Sequence, residues 1–195
     1  RAPQVMGKVT GGGRGMGAIA AHLRYIAKSG RLPIEDDRGA VREGREALRA
    51  IADQWRFGGT RIPEVSGRRE AFNIMLSMPR GTDPLAVQRA AREFAKIELT
   101  DHRYVMVLHT HQANPHVHLA VRAEGRDGRR LNPRKQDLRR WRETRLHIGG
   151  VVIGDLSFSA GVSETTASGH SAAALLAAAD AELLPLPGDD GAMLF

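Results

Sequence analysis

The chain has 195 residues, 29 Lys+Arg against 22 Asp+Glu, and a formal net charge of +7. That length fits one domain with or without an appendage, and 42% hydrophobic with 26% charged residues excludes wholesale disorder. The absence of cysteine excludes a disulfide framework, a thiolate zinc site and a Cys nucleophile, and no apolar run approaches the ~18 residues of a membrane-spanning helix.

The elements follow in chain order. Gln4–Val9 alternates apolar and polar residues and is predicted as a strand. Gly11 to Gly17, interrupted by Arg14 and Met16, reads as a flexible loop whose backbone could approach a phosphate. It fails the GxGxxG spacing and lacks the Lys-Ser/Thr of a P-loop. Ala18–Ser29 has helical periodicity through Ile19, Leu23 and Ile26, with Gly30 as its stop. Tyr25 lies on that helix, with His22 one turn earlier on a similar face. Pro33 and Asp36 to Gly39 mark a turn, and Val41–Phe57 is a second helical stretch. Ala71–Met78 is strand-like. Thr82 is the expected cap of a helix with Pro84 in its first turn, running to about Leu99. Arg103–His111 and His116–Arg122 are β-rich runs joined by a short turn through Asn114-Pro115, which predicts a hairpin. Gly125–Gly128 is another turn, and Pro133 opens a strongly basic helix over Arg134–Glu143. The order β-α-α-β-α-β-β-α predicts an α+β sandwich. Its central sheet is mainly antiparallel and carries the histidines, with helices packed on it.

Charge is unevenly spread. Residues 1–144 carry a net +12 and residues 145–195 a net −5. The expected division is a functional domain over 1–144, truncated at its C-terminal end, and an acidic Gly/Ala-rich tail over 145–195. The tail reads as a linker followed by a helix around Ser171–Leu184, and as non-native or out of frame. The start at Arg1-Ala2-Pro3, without Met or an apolar leader, reads as a fragment.

The strongest chemical signal is the histidine cluster. Five of the eight histidines fall within residues 102–118. On a strand, residues two apart share a face, so His116 pairs with His118 and His109 with His111. In a tight hairpin His109 is expected opposite His118, and His111 opposite His116. Three or four imidazoles on one face suit a divalent transition metal that keeps open positions for water or substrate. Such an ion acts as a Lewis acid on a phosphate oxygen. No HExxH segment supports a metalloprotease, and Ala120 stands where a histidine-triad hydrolase needs a third alternating His. The segment Arg126–Arg142 carries eight Lys/Arg with Trp141 among them, a pattern that tracks a phosphate backbone and can stack a base.

Three segments together resemble a known family: HLRYIAKSG (His22–Gly30), HTHQANPHVHLAV (His109–Val121) and GRRLNPRKQDLRRWRE (Gly128–Glu143). The sequence resembles a relaxase of the MobA/VirD type, a plasmid mobilisation nuclease among the His-hydrophobic-His endonucleases, over roughly residues 4–144. The resemblance implies site- and strand-specific, metal-dependent nicking of DNA at a transfer origin through a 5′-phosphotyrosine intermediate, which initiates conjugative transfer. It implies Tyr25 as nucleophile and His109, His116 and His118 as ligands of Mg or Mn. His111 stands where the family often has Asp, as a fourth ligand, an orienting group or a proton acceptor. Glu35, Asp36 and Asp37 are further candidates for the proton acceptor. DNA contacts are expected from Arg14, Arg129, Arg130, Arg134, Lys135, Arg139 and Arg140. Partners would be single-stranded origin DNA with accessory relaxosome and coupling proteins, in a bacterial cytoplasm. The alternative is a truncated relaxase that binds metal and DNA without cutting. A replication-initiator or transposase relative would carry its Tyr after the His pair, and no Tyr follows His118.

Overall fold

The computed structural model describes residues 4–148, 151–153 and 156–160. Nine strands and four helices alternate along this part of the chain. The strands are β1 (Val5–Gly13), β2 (Ile34–Asp36), β3 (Val41–Arg42), β4 (Ala71–Ser77), β5 (Tyr104–His109), β6 (His116–Arg122), β7 (Leu146–Ile148), β8 (Val151–Ile153) and β9 (Leu156–Ala160). The helices are α1 (Met16–Ile26), α2 (Arg45–Phe57), α3 (Pro84–Glu98) and α4 (Lys135–Glu143), with a 3-10 turn over Lys28–Gly30. Seven strands form one sheet in the order β3-β2-β5-β6-β4-β1-β9. All its pairs are antiparallel except β1 with β9. The chain has the expected α+β architecture, with the histidines on the central strands.

The pleat sorts the side chains into two layers. Tyr104, Met106, Val117, Leu119 and Val121 point to one face and meet Val87, Phe94, Leu138 and Trp141 from α3 and α4. Val105, Val107 and Ala120 point to the other face and meet Ile19, Leu23, Ile51 and Trp55 from α1 and α2. Because alternation has a period of two, His109, His116 and His118 fall on the α1–α2 face. Trp141 is fully buried and stands edge-on to Phe94, with ring centroids 5.3 Å apart. It is therefore a core residue and not a platform for a base.

Several boundaries differ from expectation for local reasons. The glycine stretch is not a loop: Gly11, Gly12 and Gly13 continue β1 against Asn73, Phe72 and Ala71. A Cβ on Gly12 would lie 2.4 Å from the Ala71 carbonyl oxygen, so the glycine permits the close approach of two backbones. The second helix begins at Arg45, because Val41–Arg42 pairs with β2 and Gly44 takes φ +96. The cap of α3 is Asp83, whose carboxylate accepts from the Leu85 N–H at 3.0 Å, while the Thr82 hydroxyl turns back to the Pro79 carbonyl. Past residue 144 the described chain forms β7, β8 and β9 where a linker was expected. The expected helix over Ser171–Leu184 lies outside the described residues.

Gly12→Ala is expected to cost about 1–3 kcal/mol, because the added methyl forces β1 off β4. Gly67→Ala meets no atom within 4 Å and should leave urea denaturation midpoints unchanged. Equal shifts in the two variants would remove the steric account of the glycine strand.

Candidate metal centre and the tyrosine helix

The centre is built from two strands and one helix end. β5 stops at His109 and β6 starts at His116, so the connection spans residues 110–115. In the resulting register His109 faces His116, and Val107 faces His118. The expected pairing of His109 with His118 and His111 with His116 is therefore displaced by two residues. The six-residue connection, with Pro115 at its end, is the cause: it withdraws His111 from the ladder. His111 is exposed in that connection, its ring centroid 5.2 Å from His109.

His109, His116 and His118 are all buried, and one nitrogen of each lies within 4.8 Å of the others. Among the described residues this is the one His/Asp/Glu group that could hold a metal ion, and it contains no carboxylate. Ring centroids stand 5.0 Å apart for His109–His116, 4.5 Å for His109–His118 and 5.1 Å for His116–His118.

Protonation and tautomer both favour metal binding. Burial first, then the neighbouring His116 imidazole, holds His109 down at about 3. Burial, followed by His109 and His116, holds His118 well below its ordinary value. Both rings are thus neutral at pH 7 and keep a lone pair. His109 Nε2–H donates to the Ile26 carbonyl at 2.6 Å, which leaves Nδ1 as the free donor to a cation. His116 Nδ1–H donates to the Asn114 carbonyl at 3.1 Å, which orients the ring. A cation ~2.0–2.1 Å from each nitrogen is within reach of such a group after small side-chain rotations.

The Ile26 carbonyl belongs to the last turn of α1, one residue after Tyr25. Helix ends leave such carbonyls without an intrahelical donor, and the imidazole supplies one. Lys28 and Ser29 then take φ of 50 and 57, a left-handed pair that non-glycine residues seldom adopt. This ends the helix directly after Tyr25. The Tyr25 ring is half-buried between two imidazoles, 6.5 Å by centroid from His118 and 6.4 Å from His22.

His22 was noted in the sequence only as a neighbour of Tyr25. Its ring is buried, and among the described residues neither nitrogen has a hydrogen-bond partner. Burial holds it down at about 3.

The carboxylates expected near Tyr25 are engaged elsewhere. Glu35 faces the α3 side of the sheet, opposite Met106, and makes a two-pronged pair with Arg92 at 2.7 and 2.8 Å. Asp36 accepts from the backbone of Arg38 and Ala40 and pairs with Arg42 at 3.1 Å. Asp37 pairs with Arg126.

The basic residues are distributed just as specifically. Arg14 lies at the start of α1, eleven residues from Tyr25, and donates to the Gly67 carbonyl at 2.6 Å. At 1.5 Å per residue that is roughly 16 Å from the cluster end of the helix. Arg130 is held between Glu70 at 3.2 Å and Glu124 at 4.0 Å. Arg140 pairs with Glu98 at 3.2 Å. Arg129, Arg134, Lys135 and Arg139 are exposed, and the last three belong to α4 or its cap, on the sheet face opposite the imidazoles. The fold does not bring these seven residues to the cluster.

The MobA/VirD2-like relaxase nuclease domain matches residues 34–148, which include all three buried imidazoles. The chain belongs to that relaxase family. The match begins after Tyr25, so the place of Tyr25 in this relaxase domain rests on the geometry above. A solved structure described as "Molecular Basis of Vancomycin Resistance Transfer in Staphylococcus aureus" is similar at 15% identity and a TM-score of 0.43, over 73% of this chain and 88% of that one. No curated protein matches the chain. No helix among the described residues is long and apolar enough to cross a membrane.

Two outcomes test the centre. Mn²⁺ should raise the melting temperature of the unmodified chain and not that of His116→Ala. For His22, the unfolded imidazole takes a proton below 6.5 while the folded one stays neutral down to about 3. The unfolded state then binds more protons, so stability falls as pH drops through that window. In the metal-free relaxase domain His22→Leu should lessen the loss between pH 7 and pH 5 by on the order of 2 kcal/mol. Unchanged pH dependence would mean that the ring is not enclosed.

Proposed function

We propose that this relaxase domain nicks one strand of DNA at a plasmid transfer origin and holds the cut end on Tyr25, which initiates conjugative transfer. The observation that carries the reading is the seat of Tyr25: half-buried, beside His118, on a helix whose end is bonded to His109.

In the proposed step Tyr25 gives its phenolic proton to a base, for which His111 is the candidate, and its oxygen attacks the scissile phosphorus. A bond forms from that oxygen to the 5′-phosphate, the bond to the 3′ oxygen breaks, and the leaving oxygen takes up a proton as a 3′-hydroxyl. The phosphotyrosine ester conserves the energy of the broken bond, so the reverse attack reseals the strand. His109, His116 and His118 would hold a divalent ion, Mn or Mg. A bound ion would polarise the phosphate as a Lewis acid. An all-imidazole set favours Mn over the harder Mg. The left-handed turn at Lys28–Ser29 and the capped Ile26 carbonyl restrict the motion of the tyrosine. That restriction supports in-line attack by reducing what must be ordered at the moment of reaction.

His111, at the exposed mouth of the cluster, is the candidate for orienting a group or accepting a proton. The exposed cations Arg14, Arg129, Arg134, Lys135 and Arg139 would contact flanking DNA. Those on α4 are a surface separate from the cluster, reached by DNA that passes round the sheet edge. Accessory relaxosome and coupling proteins would be the protein partners, in a bacterial cytoplasm. The second reading, a module that binds metal and DNA without cutting, is favoured by one observation. Glu35, Asp36 and Asp37, the carboxylate candidates for accepting the Tyr25 proton, are paired with Arg92, Arg42 and Arg126.

A single-stranded origin oligonucleotide with Mn²⁺ should give a covalent protein–DNA adduct. Tyr25→Phe should abolish it, and an adduct that survives this change defeats the assignment. His116→Ala should lower cleavage by 10²-fold or more while sparing DNA binding. Tight, salt-sensitive binding with no adduct under any divalent ion would establish the binding module instead.

A further inference from the structure

A groove of about 590 Å³ runs between α1 and α2, outside the cluster and on the same face of the sheet. Four guanidiniums line it, Arg24, Arg45, Arg49 and Arg56, against a single lining carboxylate, Asp53. Arg24 and Arg45 make no ion pair or side-chain hydrogen bond among the described residues. Arg49 is held only by Glu46 at 2.8 Å, an exposed pair that solvent screens to little value, and Arg56 by Glu64 at 3.2 Å. The N-terminus of α2 opens into the same end of the groove. Its cap is Gly44, which supplies no side-chain acceptor to the first-turn amides, and Glu46 is the one acidic residue in that turn.

Resting on the relaxase reading, we propose that this groove binds the phosphodiester backbone of the single strand next to the nick. Three arguments identify the ligand. The planar guanidinium fork matches a phosphate, and four of them along one groove match a chain of phosphates better than an isolated anion. Packed helices stand only 8–10 Å apart, so the valley between them admits one extended strand and excludes a duplex. Arg24 directly precedes Tyr25 on α1 and points about 100° round the helix from it. A strand lying on Tyr25 therefore reaches the groove by crossing one helix crest, over Ala21. The crest is low because Gly17, Ala18, Ala20 and Ala21 carry almost no side chain. None of the four arginines belongs to the basic segment that the sequence singled out.

The test measures binding of a mixed-sequence single-stranded oligonucleotide to the full chain as a function of salt. Each lost phosphate contact lowers the slope of log K against log[salt] by about 0.7 for a single strand. The variant Arg24→Gln/Arg45→Gln/Arg49→Gln should lower the slope by about 2 and the affinity near 0.1 M salt by more than tenfold. Lysine at the same three positions should keep the slope. Arg80→Gln/Arg89→Gln/Lys96→Gln, an equal charge loss at exposed sites elsewhere, should also keep it. A groove variant that keeps the slope, or a control that loses as much, overturns the groove. So does an equal loss on a duplex of the same sequence, which would reflect diffuse charge. If the unmodified chain shows no salt-dependent binding, both the groove and the relaxase reading fall. Binding that resides elsewhere sinks the groove alone.

Discussion

One hydrogen bond, from the His109 imidazole to the Ile26 carbonyl, joins the helix of Tyr25 to the strand of the histidine cluster. It does three things at once. It satisfies a carbonyl that the helix end leaves open. It fixes the proton of His109 on Nε2 and turns Nδ1 toward the other imidazoles. It also sets the distance between the phenol and the cluster, because α1 cannot slide along the sheet without breaking it. The left-handed turn at Lys28–Ser29 belongs to the same constraint. A helix that ran on for another turn would hold its own Ile26 carbonyl and leave His109 without its acceptor.

The two faces of the sheet divide the labour. The α3–α4 face holds the larger apolar cluster, with Phe94 and Trp141 at its centre. The α1–α2 face holds Tyr25, His22 and the imidazoles over a smaller apolar floor of Val105, Val107 and Ala120. Packing on the first face can therefore stabilise the chain while the second carries polar groups that cost stability. His22 shows that cost: a buried imidazole with no hydrogen bond among the described residues stands at a penalty of about 1–3 kcal/mol. On the far side the buried Glu35 is closed by Arg92 on two prongs.

The alternation of His116 and His118 was legible because a strand has a period of two. So was the sandwich, because its elements are strongly periodic. The register was not, since it depends on the length of the connection, and Gln112 to Pro115 resembles a tight turn while residues 110–115 all lie outside the ladder. The glycines read as a loop because composition cannot show that a neighbouring backbone, here at Ala71, lies where their side chains would be. Arg126–Arg142 drew attention because its charges are consecutive. Several of them instead close acidic partners, Arg130 on Glu70 and Arg140 on Glu98. Arg24 and Arg45 are twenty-one residues apart, and only the return of α2 beside α1 makes them one surface. That return is set by Gly30, whose φ of +92 and close contact with Gly44 leave no space for a Cβ.

Burial settles how protons and a cation compete for the cluster. An exposed histidine is partly protonated near pH 6.5, and a metal must displace that proton before it binds. His109 and His118 have already lost theirs, because desolvation and the neighbouring imidazoles make the imidazolium costly at both positions. Lys28 adds to the same effect on both rings. The enclosure that removes solvent from Tyr25 thus also keeps the cluster receptive to a cation throughout the neutral range. Opening the site to water would weaken both properties together, which explains why a half-buried phenol and three buried imidazoles occur on one face rather than on separate surfaces.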